Sequence, residues 1–266
     1  MKIIDCFTFY NEFKLLNYRL SILYPIVDYF IIVEGTKTQI GKPKPLFFKE
    51  NREQFKPFLD KIIHIVDDEL IDYDDIKGDN AWINEIHQRN HIHKGIEQLD
   101  MNDNDLIMIS DCDEIPDIDY VKSLRNKNNT FDIVALEQVN HIYNLTCLTV
   151  HKLTVHKIIR YGYYKNNPRP NDYRHKHNMP IIPNGGWHLT YFNNAELISN
   201  KIKSIVEQEF NNEEFTNVDN IIKRIKDNKD IFDRPRDSII KIPVSQNTYL
   251  PPEYDKYLSE FTENLY

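Results

Sequence analysis

The sequence predicts an α/β protein with a mostly parallel central sheet flanked by helices. Short apolar runs typical of buried strands alternate with amphipathic helical segments through the first half of the chain. A second observation is the stretch "LIMISDCDEIPD" at residues 106–117, in which an apolar run leads directly into a dense group of carboxylates. Because such sheets bind ligands at the carboxyl ends of their strands, we expect a site where these acidic residues follow the strand.

Five strands and four helices are predicted in chain order. The strands cover residues 2–9, 28–33, 61–66, 106–110 and 131–138. The helices cover residues 11–24, 80–99, 194–210 and 218–228. The first helix carries Phe13, Leu16, Leu20 and Leu23 at helical spacing, and the second has Asp79 or Asn80 as its amino-terminal cap. The strand-helix alternation indicates right-handed crossovers between parallel strands.

Composition restricts the class of protein. The 266 residues, 41% hydrophobic and 28% charged, are typical of a soluble globular protein and can bury a substantial core. The net charge of −8 argues against a nucleic-acid-binding protein. Three cysteines are too few for a disulfide framework, and Cys6 and Cys112 are expected on strands as small hydrophobic residues. No run approaches 18 apolar residues and no signal peptide is visible, so we expect a cytoplasmic protein without a membrane span.

One segment reverses the acidic balance of the chain. Residues 149–178 contain seven Lys or Arg residues and a single acid, Asp172. The segment is either a solvated basic face or a patch that meets an anion such as a diphosphate. No linker rich in glycine or serine and no repeat interrupts the chain, which predicts one domain with a carboxyl-terminal elaboration.

The Asp111-Cys112-Asp113 motif allows two chemical interpretations, since neighbouring carboxylates repel each other unless a cation relieves them. In a phosphatase of the haloacid-dehalogenase type the first aspartate would be the nucleophile, but that motif belongs on the first strand and its acidic partner motif is missing. In a nucleotide-sugar transferase the motif holds Mg²⁺ or Mn²⁺ against the donor diphosphate. An EF-hand is excluded because Pro116 and Lys122 stand where glycine and glutamate are required.

Other familiar motifs predict no site. His87 and His91 are spaced four apart as in zinc proteases, but Gln88 stands where the general base of those enzymes is needed. A polar helix face is the expected structure there. Neither a dinucleotide-binding glycine motif nor a P-loop occurs in the sequence.

Several blocks of the sequence resemble glycosyltransferase family 17, which includes the enzymes that add bisecting N-acetylglucosamine. In residues 10–48 the matching positions are Asn11, Glu12, Leu16, Arg19, Leu20, Asp28, Glu34, Thr38, Gly41, Pro43, Lys44 and Pro45. The later blocks are "HQRN" at 87–90, "ISDCDEIP" at 109–116, "GGWHLTYF" at 185–192 and "KIKSIVEQEFN" at 201–211. Glu207 departs from the family, which usually has histidine there.

The resemblance implies a GT-A-like nucleotide-diphospho-sugar transferase fold in one domain over residues 1–266. Residues 1–140 would form the nucleotide-sugar-binding half, and residues 141–266 the acceptor-side half with the carboxyl-terminal helices. It also implies inverting transfer from a UDP-sugar, most simply UDP-N-acetylglucosamine, to a glycan hydroxyl with Mn²⁺ or Mg²⁺. A non-catalytic protein that binds a nucleotide sugar or a glycan on the same fold is the alternative.

Two aspartates and one histidine are the predicted metal ligands. Asp113 is expected to bind the ion directly, and Asp111 to bind the donor ribose or the ion through water. His188 would complete the site and favour Mn²⁺, because imidazole suits Mn²⁺ better than Mg²⁺. Gly185 and Gly186 would allow a close backbone approach beside it. The alternatives are a helix-capping role for Asp113 and a core position for His188.

Five further residues are predicted to bind the donor. Glu34 either receives the uracil or ribose or caps a turn, and Lys44, between two prolines, either meets a phosphate or lies in a surface turn. Arg89 and Asn90 would face the same crevice, with Arg89 paired to the first aspartate of the motif or to a phosphate, unless it lies on the helix surface. Trp187 either forms the floor of the sugar site or belongs to the core.

The catalytic base must be a carboxylate on the acceptor side, as in inverting glycosidases. Glu209 is predicted for this role because it lies in a family-matching block on a predicted helix. Asp172 competes with it as the only acid of the basic segment.

Overall fold

The described residues of the computed structural model form one ten-stranded sheet with helices packed against both faces. They are residues 1–76, 82–126, 129–234, 238–263 and 265–266. The strands are β1 Ile3–Thr8, β2 Tyr29–Gly35, β3 Ile62–Asp67, β4 Leu106–Asp111, β5 Glu114–Pro116, β6 Ile133–Ile142, β7 Cys147–Thr149, β8 Lys157–Arg160, β9 Ile181–Thr190 and β10 Ile239–Lys241. The α-helices are α1 Phe13–Leu23, α2 Phe47–Glu50, α3 Ile83–Asn90, α4 Ile92–Ile96, α5 Ile118–Leu124, α6 Tyr161–Tyr164, α7 Pro170–Arg174, α8 Ala195–Ile202, α9 Glu213–Thr216, α10 Val218–Lys226 and α11 Tyr254–Tyr257.

The strand order is β10-β7-β6-β8-β4-β1-β2-β3, with β9 beside β6 and β5 beside β9. The four strands β3, β2, β1 and β4 are parallel, which confirms the predicted α/β class and its parallel sheet. The sheet becomes mixed beyond β4, because β8 runs antiparallel to both β4 and β6. The pair β6–β9 is again parallel.

The parallel strands are apolar along their whole length because both faces of the sheet are covered. On one face Phe7 and Phe30 belong to the same hydrophobic cluster as Leu16 and Leu20 of α1. On the other face Cys6 belongs to a second cluster, together with residues of α4, α6 and α7. The continuous apolar pattern that predicted these strands therefore has a direct structural cause.

Two predicted helices are shorter than expected. In place of one helix over 80–99 the structure has α3 and α4, separated at His91, where the Lys94 N–H donates to the His91 carbonyl and tightens the turn. The predicted cap at Asp79 or Asn80 lies outside the described residues. The helix predicted over 194–210 ends at Ile202, and beyond it the Ser204 hydroxyl bonds the Asn200 carbonyl at 2.7 Å, a local bond that competes with helix propagation.

Two further details differ from the sequence prediction. Cys112 lies in the turn between β4 and β5 and not on a strand, although it is buried as expected. Strand β6 continues to Ile142, because β9 pairs with it in register as far as Thr190. Among the described residues, no helix combines the length and apolar character that crossing a membrane requires.

Candidate active site

A cleft of about 330 Å³ opens at the carboxyl ends of β1 and β4. The strand register aligns Thr8 with Asp111, so the turn after β4 lies beside the segment that follows β1. The acidic, basic and histidine side chains that line the cleft are Glu12, Lys37, Lys44, Arg89, Asp111, Asp113, Glu114, Arg174, His188 and Lys201. The acidic motif therefore lies where the parallel sheet was predicted to bind its ligand.

Two arginines hold Asp111. Arg89 Nη2 lies 3.1 Å from Oδ1, and Arg174 Nη2 lies 2.7 Å from Oδ2. Arg174 also binds Glu114 at 2.9 and 2.7 Å, so one guanidinium joins two carboxylates of the motif. Burial alone would raise the pKa of Asp111, but the charges of Arg174 and Arg89 outweigh it and lower that pKa to about 2. Asp111 is therefore ionised across the physiological range.

Asp113 has a different set of partners. Its carboxylate lies 3.6 Å from Nε2 of His188 and 3.3 Å from Nζ of Lys201, which is also 3.4 Å from Glu12. Burial opposes ionisation, but Lys201 and His188 hold the pKa of Asp113 well below its usual range. Burial likewise disfavours the imidazolium of His188, yet the neighbouring Asp113 carboxylate raises the pKa of His188 overall.

Close packing of β5 against β9 places His188 opposite the motif. Glu114 pairs with His188 across the antiparallel ladder, and the Leu189 N–H donates to the Asp113 carbonyl at 2.9 Å. A Cβ atom on Gly186 would lie 2.2 Å from the Ile115 carbonyl oxygen. The glycine is thus required by the close approach of the two strands, as the sequence predicted.

A fully buried arginine fixes the turn that carries the motif. Arg19 of α1 pairs with Asp5 at 2.8 and 2.6 Å. Its Nη1 donates to the carbonyls of Asp111 and Glu114, both at 2.8 Å. The turn between β4 and β5 is therefore anchored through its backbone, which leaves the Asp113 carboxylate directed into the cleft.

Asp113 Oδ1 and His188 Nε2 are the atoms of the cleft that would hold a divalent cation, and Lys201 meets the other carboxylate oxygen of Asp113 at 3.3 Å. Nδ1 of His188 lies 3.0 Å from Oδ1 of Asn140, an acceptor, which places the proton on Nδ1 and turns Nε2 toward Asp113. A carboxylate oxygen and an imidazole nitrogen facing each other are a donor set that transition-metal ions accept. Asp111 has no such freedom, because each of its oxygens meets an arginine.

Comparison with known proteins decides the family. The sequence model of glycosyltransferase family 17 matches residues 1–238. The chain belongs to glycosyltransferase family 17. It is therefore a member of a family of sugar-transferring enzymes, as the quoted blocks predicted, and its α/β architecture agrees with the GT-A-like fold that the resemblance implied. Membership in family 17 sets aside the phosphatase alternative.

Curated relatives match half of the chain. The beta-1,4-mannosyl-glycoprotein 4-beta-N-acetylglucosaminyltransferase of Rattus norvegicus is 29% identical over 129 residues, which are 47% of this chain and 23% of the rat protein. The Homo sapiens protein of the same name is also 29% identical over 129 residues, covering 24% of its length. The matched segment thus spans about a quarter of these relatives.

Solved structures resemble the chain more distantly. S. aureus TarS 1–349 is 12% identical, with 82% of this chain and 72% of that chain covered at a TM-score of 0.43. The glycosyltransferase GlyE of Streptococcus pneumoniae TIGR4 is 10% identical, with 64% and 37% covered at a TM-score of 0.34.

The predicted donor-binding residues of the family 17 chain fall into two groups. Lys44 and Arg89 line the cleft. Lys44 lies 3.8 Å from Glu34 and close to the rings of Tyr10 and Phe47, and burial lowers the pKa of Lys44.

Glu34 and Asn90 do not line the cleft. Glu34 is fully buried behind Lys44 and accepts the Phe48 N–H at 2.9 Å, so its carboxylate binds the start of α2. Asn90 accepts the Asn171 N–H at 3.0 Å and supports α7 from outside the cleft lining.

Three other predicted residues lie away from the cleft. Trp187 is buried and stacks on Tyr249 with ring centroids 4.6 Å apart, which matches the alternative of a core position. Asp172 lies near Arg169 at 3.6 Å on the surface. Glu209 is exposed in a short 3₁₀ segment, Gln208–Phe210. The geometry gives no support to either acid as the base.

Four residues that shape the site carried no prediction: Glu12, Arg19, Arg174 and Lys201. Signals for them existed in the sequence. Glu12 and Arg19 are family-matching positions, Lys201 opens a matching block, and Arg174 belongs to the basic segment. What the sequence lacked was any indication of which acid each cation meets.

Proposed function

We propose that this chain transfers a sugar, with N-acetylglucosamine as the first candidate, from a UDP-sugar to a hydroxyl group of a glycan with inversion at the anomeric carbon. The observation that carries the proposal is the cleft, which five cationic side chains line together with the Asp113–His188 pair. These cations are Lys37, Lys44, Arg89, Arg174 and Lys201. The names of the curated relatives support the choice of sugar.

The cations suit the departure of a diphosphate. Inverting transfer requires the bond from the anomeric carbon to the diphosphate to break while an acceptor hydroxyl attacks from the opposite face. Preorganised positive charges favour such a step because they need no reorganisation as charge develops on the leaving group. The bonds of Arg89 and Arg174 to Asp111 hold both guanidinium groups in fixed positions at the wall of the cleft.

Asp113 and His188 would hold Mn²⁺ or Mg²⁺, which supplies Lewis-acid stabilisation of the leaving diphosphate when bound. Lys201 provides a second candidate for the same task. Its ammonium contacts Asp113 and Glu12, and although burial opposes the charge, these carboxylates raise the pKa of Lys201 above its usual range. If the Lys201 ammonium performs this task, the enzyme would keep its activity without a metal.

Glu12 is our proposal for the base. Of the four carboxylates that line the cleft, Asp111 and Glu114 are bound by arginine side chains and Asp113 faces His188. Glu12 contacts Lys201 alone among the described ion pairs, and its other oxygen accepts main-chain N–H groups that a glutamine oxygen can also accept. Glu12→Gln should therefore remove the base while preserving the fold.

Donor binding and turnover test the proposal together. UDP-N-acetylglucosamine, UDP-glucose and UDP-galactose are each added with Mn²⁺ or with chelator, and thermal stability and UDP release are measured. We expect one donor to raise the melting temperature and to release UDP, since a ligand of the native state stabilises it. Asp113→Asn should abolish both effects, whereas Asp119→Asn, at an exposed position on α5, should not.

The outcomes separate the alternatives. Stabilisation without UDP release in the presence of glycan acceptors would favour a binding protein, and no response to any donor would overturn the proposal. If activity survives chelation but is lost in Lys201→Met, the lysine and not a metal stabilises the leaving diphosphate. Glu12→Gln should retain donor binding and lose transfer, with Glu209→Gln as its control; the opposite result would restore Glu209 as the base.

A further inference from the structure

Three side chains with metal-binding atoms converge outside the cleft, at the carboxyl end of β3. Asp67 ends that strand, His87 lies on α3 and His91 lies between α3 and α4. One ligand atom from each residue lies within 4.8 Å of the others. None of the three lines the cleft that contains Asp113, so this group is a separate feature of the molecule.

The local structure holds all three side chains in place. His87 and His91 are one helical turn apart, and the His91 N–H donates to the His87 carbonyl at 3.0 Å, so their rings lie side by side with centroids 4.5 Å apart. Asp67 is fully buried, and its main-chain carbonyl accepts the Thr36 N–H at 2.9 Å. The site joins two elements that the chain brings together only on folding.

The hydrogen bonds of His91 leave a nitrogen that needs a cation. Nδ1 lies 3.1 Å from the His87 carbonyl, which can only accept, so Nδ1 carries the ring proton. Nε2 then presents a lone pair to Asp67 Oδ1 at 3.4 Å, and two acceptors face each other. This nitrogen is inaccessible to solvent and has no hydrogen-bond partner, while the His91 side chain is only 6% exposed.

Hydrogen bonds satisfy only part of this arrangement, and Nε2 of His91 is left to bind either a second ring proton or a metal ion. Nδ1 of His87 lies 3.0 Å from Asp67 Oδ2 and can donate to it. Oδ1 of Asp67 accepts the Glu69 N–H at 3.1 Å, but Nε2 of the neutral His91 ring remains without a partner, at a cost of about 1–3 kcal/mol. A metal ion accepts electron pairs from the carboxylate and from both imidazoles at once.

We propose that Asp67, His87 and His91 form a binding site for a divalent transition-metal ion of the zinc type. Two imidazoles and a carboxylate are a ligand set that zinc accepts, whereas Mg²⁺ and Ca²⁺ prefer oxygen ligands alone. Glu69 is available as a fourth ligand, since its Oε2 lies 3.7 Å from His87 Nε2 and 3.8 Å from His91 Nε2. Its side chain is 58% exposed and can move toward the ion.

The position of the site gives the ion a structural task. Helix α3 carries His87 on one side and Arg89 on another, and Arg89 binds Asp111 at the wall of the cleft. An ion bound to Asp67 and His87 fixes this helix against the carboxyl end of β3. The ion therefore acts as a positioning element for Arg89 and contacts no donor.

Metal binding to the full chain tests the proposal. The protein carries Asp113→Asn so that the cleft does not contribute, is treated with chelator, and is titrated with Zn²⁺ and with Co²⁺, whose visible absorption reports its ligands. We expect one equivalent of ion with an absorption spectrum of nitrogen and oxygen ligation. His87→Ala should weaken binding by more than about 100-fold, because loss of a direct ligand exceeds the effect of a supporting residue.

The choice of variant keeps the test independent of folding. The His87 side chain is 36% exposed, so its removal costs little packing, and His93→Ala on α4, with 32% exposure, is the matched control. Circular dichroism verifies that both variants fold. The proposal is overturned if the parent protein binds no Zn²⁺ or Co²⁺ at micromolar concentrations, or if His87→Ala binds them as tightly as His93→Ala does.

Discussion

Arg19 shows how a single residue determines the geometry of the candidate site. Its guanidinium is fully buried, pairs with Asp5 and satisfies two carbonyls of the turn between β4 and β5. Phe7 also lies beneath it, with the guanidinium carbon 4.4 Å from the ring centroid. A planar group with several donors can meet all these partners at once, which a lysine could not.

Arg19→Met should lower the free energy of unfolding by about 3–5 kcal/mol, because it leaves the Asp5 carboxylate buried without its partner. Chemical denaturation measures this loss. Lys14→Met, which removes an exposed ion pair between the same helix and Glu260, is the control and should cost about 1 kcal/mol or less.

Removing the charges of both Asp5 and Arg19 separates two effects of Arg19. One is its pairing with the buried Asp5 carboxylate, and the other is its hydrogen bonds to the carbonyls of the turn. The double variant Asp5→Leu/Arg19→Met should recover much of the stability but not donor binding, since the turn carbonyls still lack their donor. Donor binding of the double variant equal to that of the wild type would refute the role of Arg19 in holding the turn.

At the scale of elements, strand β8 carries a buried lysine in the middle of the sheet. Lys157 is 2% exposed, and its ammonium bonds the Thr154 carbonyl. Burial, followed by the nearby charge of Arg174, lowers the pKa of Lys157 to about 8. The strand therefore contains a group whose charge the folded state disfavours.

This lysine predicts a stability that rises with pH. Between about pH 8 and pH 10.4 the folded state has released the Lys157 proton while the unfolded state still binds it, so a higher pH favours folding, by at most about 3 kcal/mol. The measurement compares the free energy of unfolding of the wild type with that of Lys157→Met from pH 7 to pH 10.5. As pH rises, the free energy of unfolding of the wild type should increase relative to that of Lys157→Met. A difference between the two proteins that does not change with pH would contradict the prediction.

At the scale of the whole molecule, the end of the chain completes the core that the first half begins. The largest hydrophobic cluster contains Phe7 of β1 and Leu16 of α1 together with Leu258 and Phe261. Phe261 packs on Phe192 with ring centroids 5.0 Å apart, and its carbonyl accepts the Leu145 N–H at 2.8 Å. The chain beyond residue 238, where the family match ends, thus contributes to the same core.

Phe261→Ala should therefore destabilise the whole molecule and not only its tail, by about 3–5 kcal/mol. Leu265→Ala, at a position that is 43% exposed, should change stability by less than about 0.5 kcal/mol. Unfolding is followed by far-ultraviolet circular dichroism and by tryptophan fluorescence. If Phe261→Ala leaves the unfolding midpoint of Trp187 fluorescence unchanged in a Trp82→Phe background, the tail does not belong to the common core.

Much of the parallel half could be predicted from sequence. The runs at residues 28–33 and 106–110 predicted strands because the sheet is covered on both faces, so that burial leaves a continuous apolar pattern. The same pattern predicted the edge at which Asp111 and Asp113 lie. The antiparallel strands were harder, because β7 and β10 have three residues each and carry little periodic signal.

The pairing of Arg89 with Asp111 was predicted from sequence, but the ion pairs of Lys201 and Arg174 were decided by the tertiary structure alone. Lys201 meets Asp113 across 88 residues of chain and Arg174 meets Glu114 across 60, distances over which neither spacing nor propensity carries information. The same holds for Asp67, which is 20 residues from His87 in the chain. Only the tertiary structure brings its carboxylate to the helical pair His87 and His91 and so forms a candidate metal site. Local sequence indicates which strands and helices form, because apolar periodicity and helix capping depend on residues that are close in the chain. Which charges meet depends on how the sheet brings the carboxyl ends of its strands together.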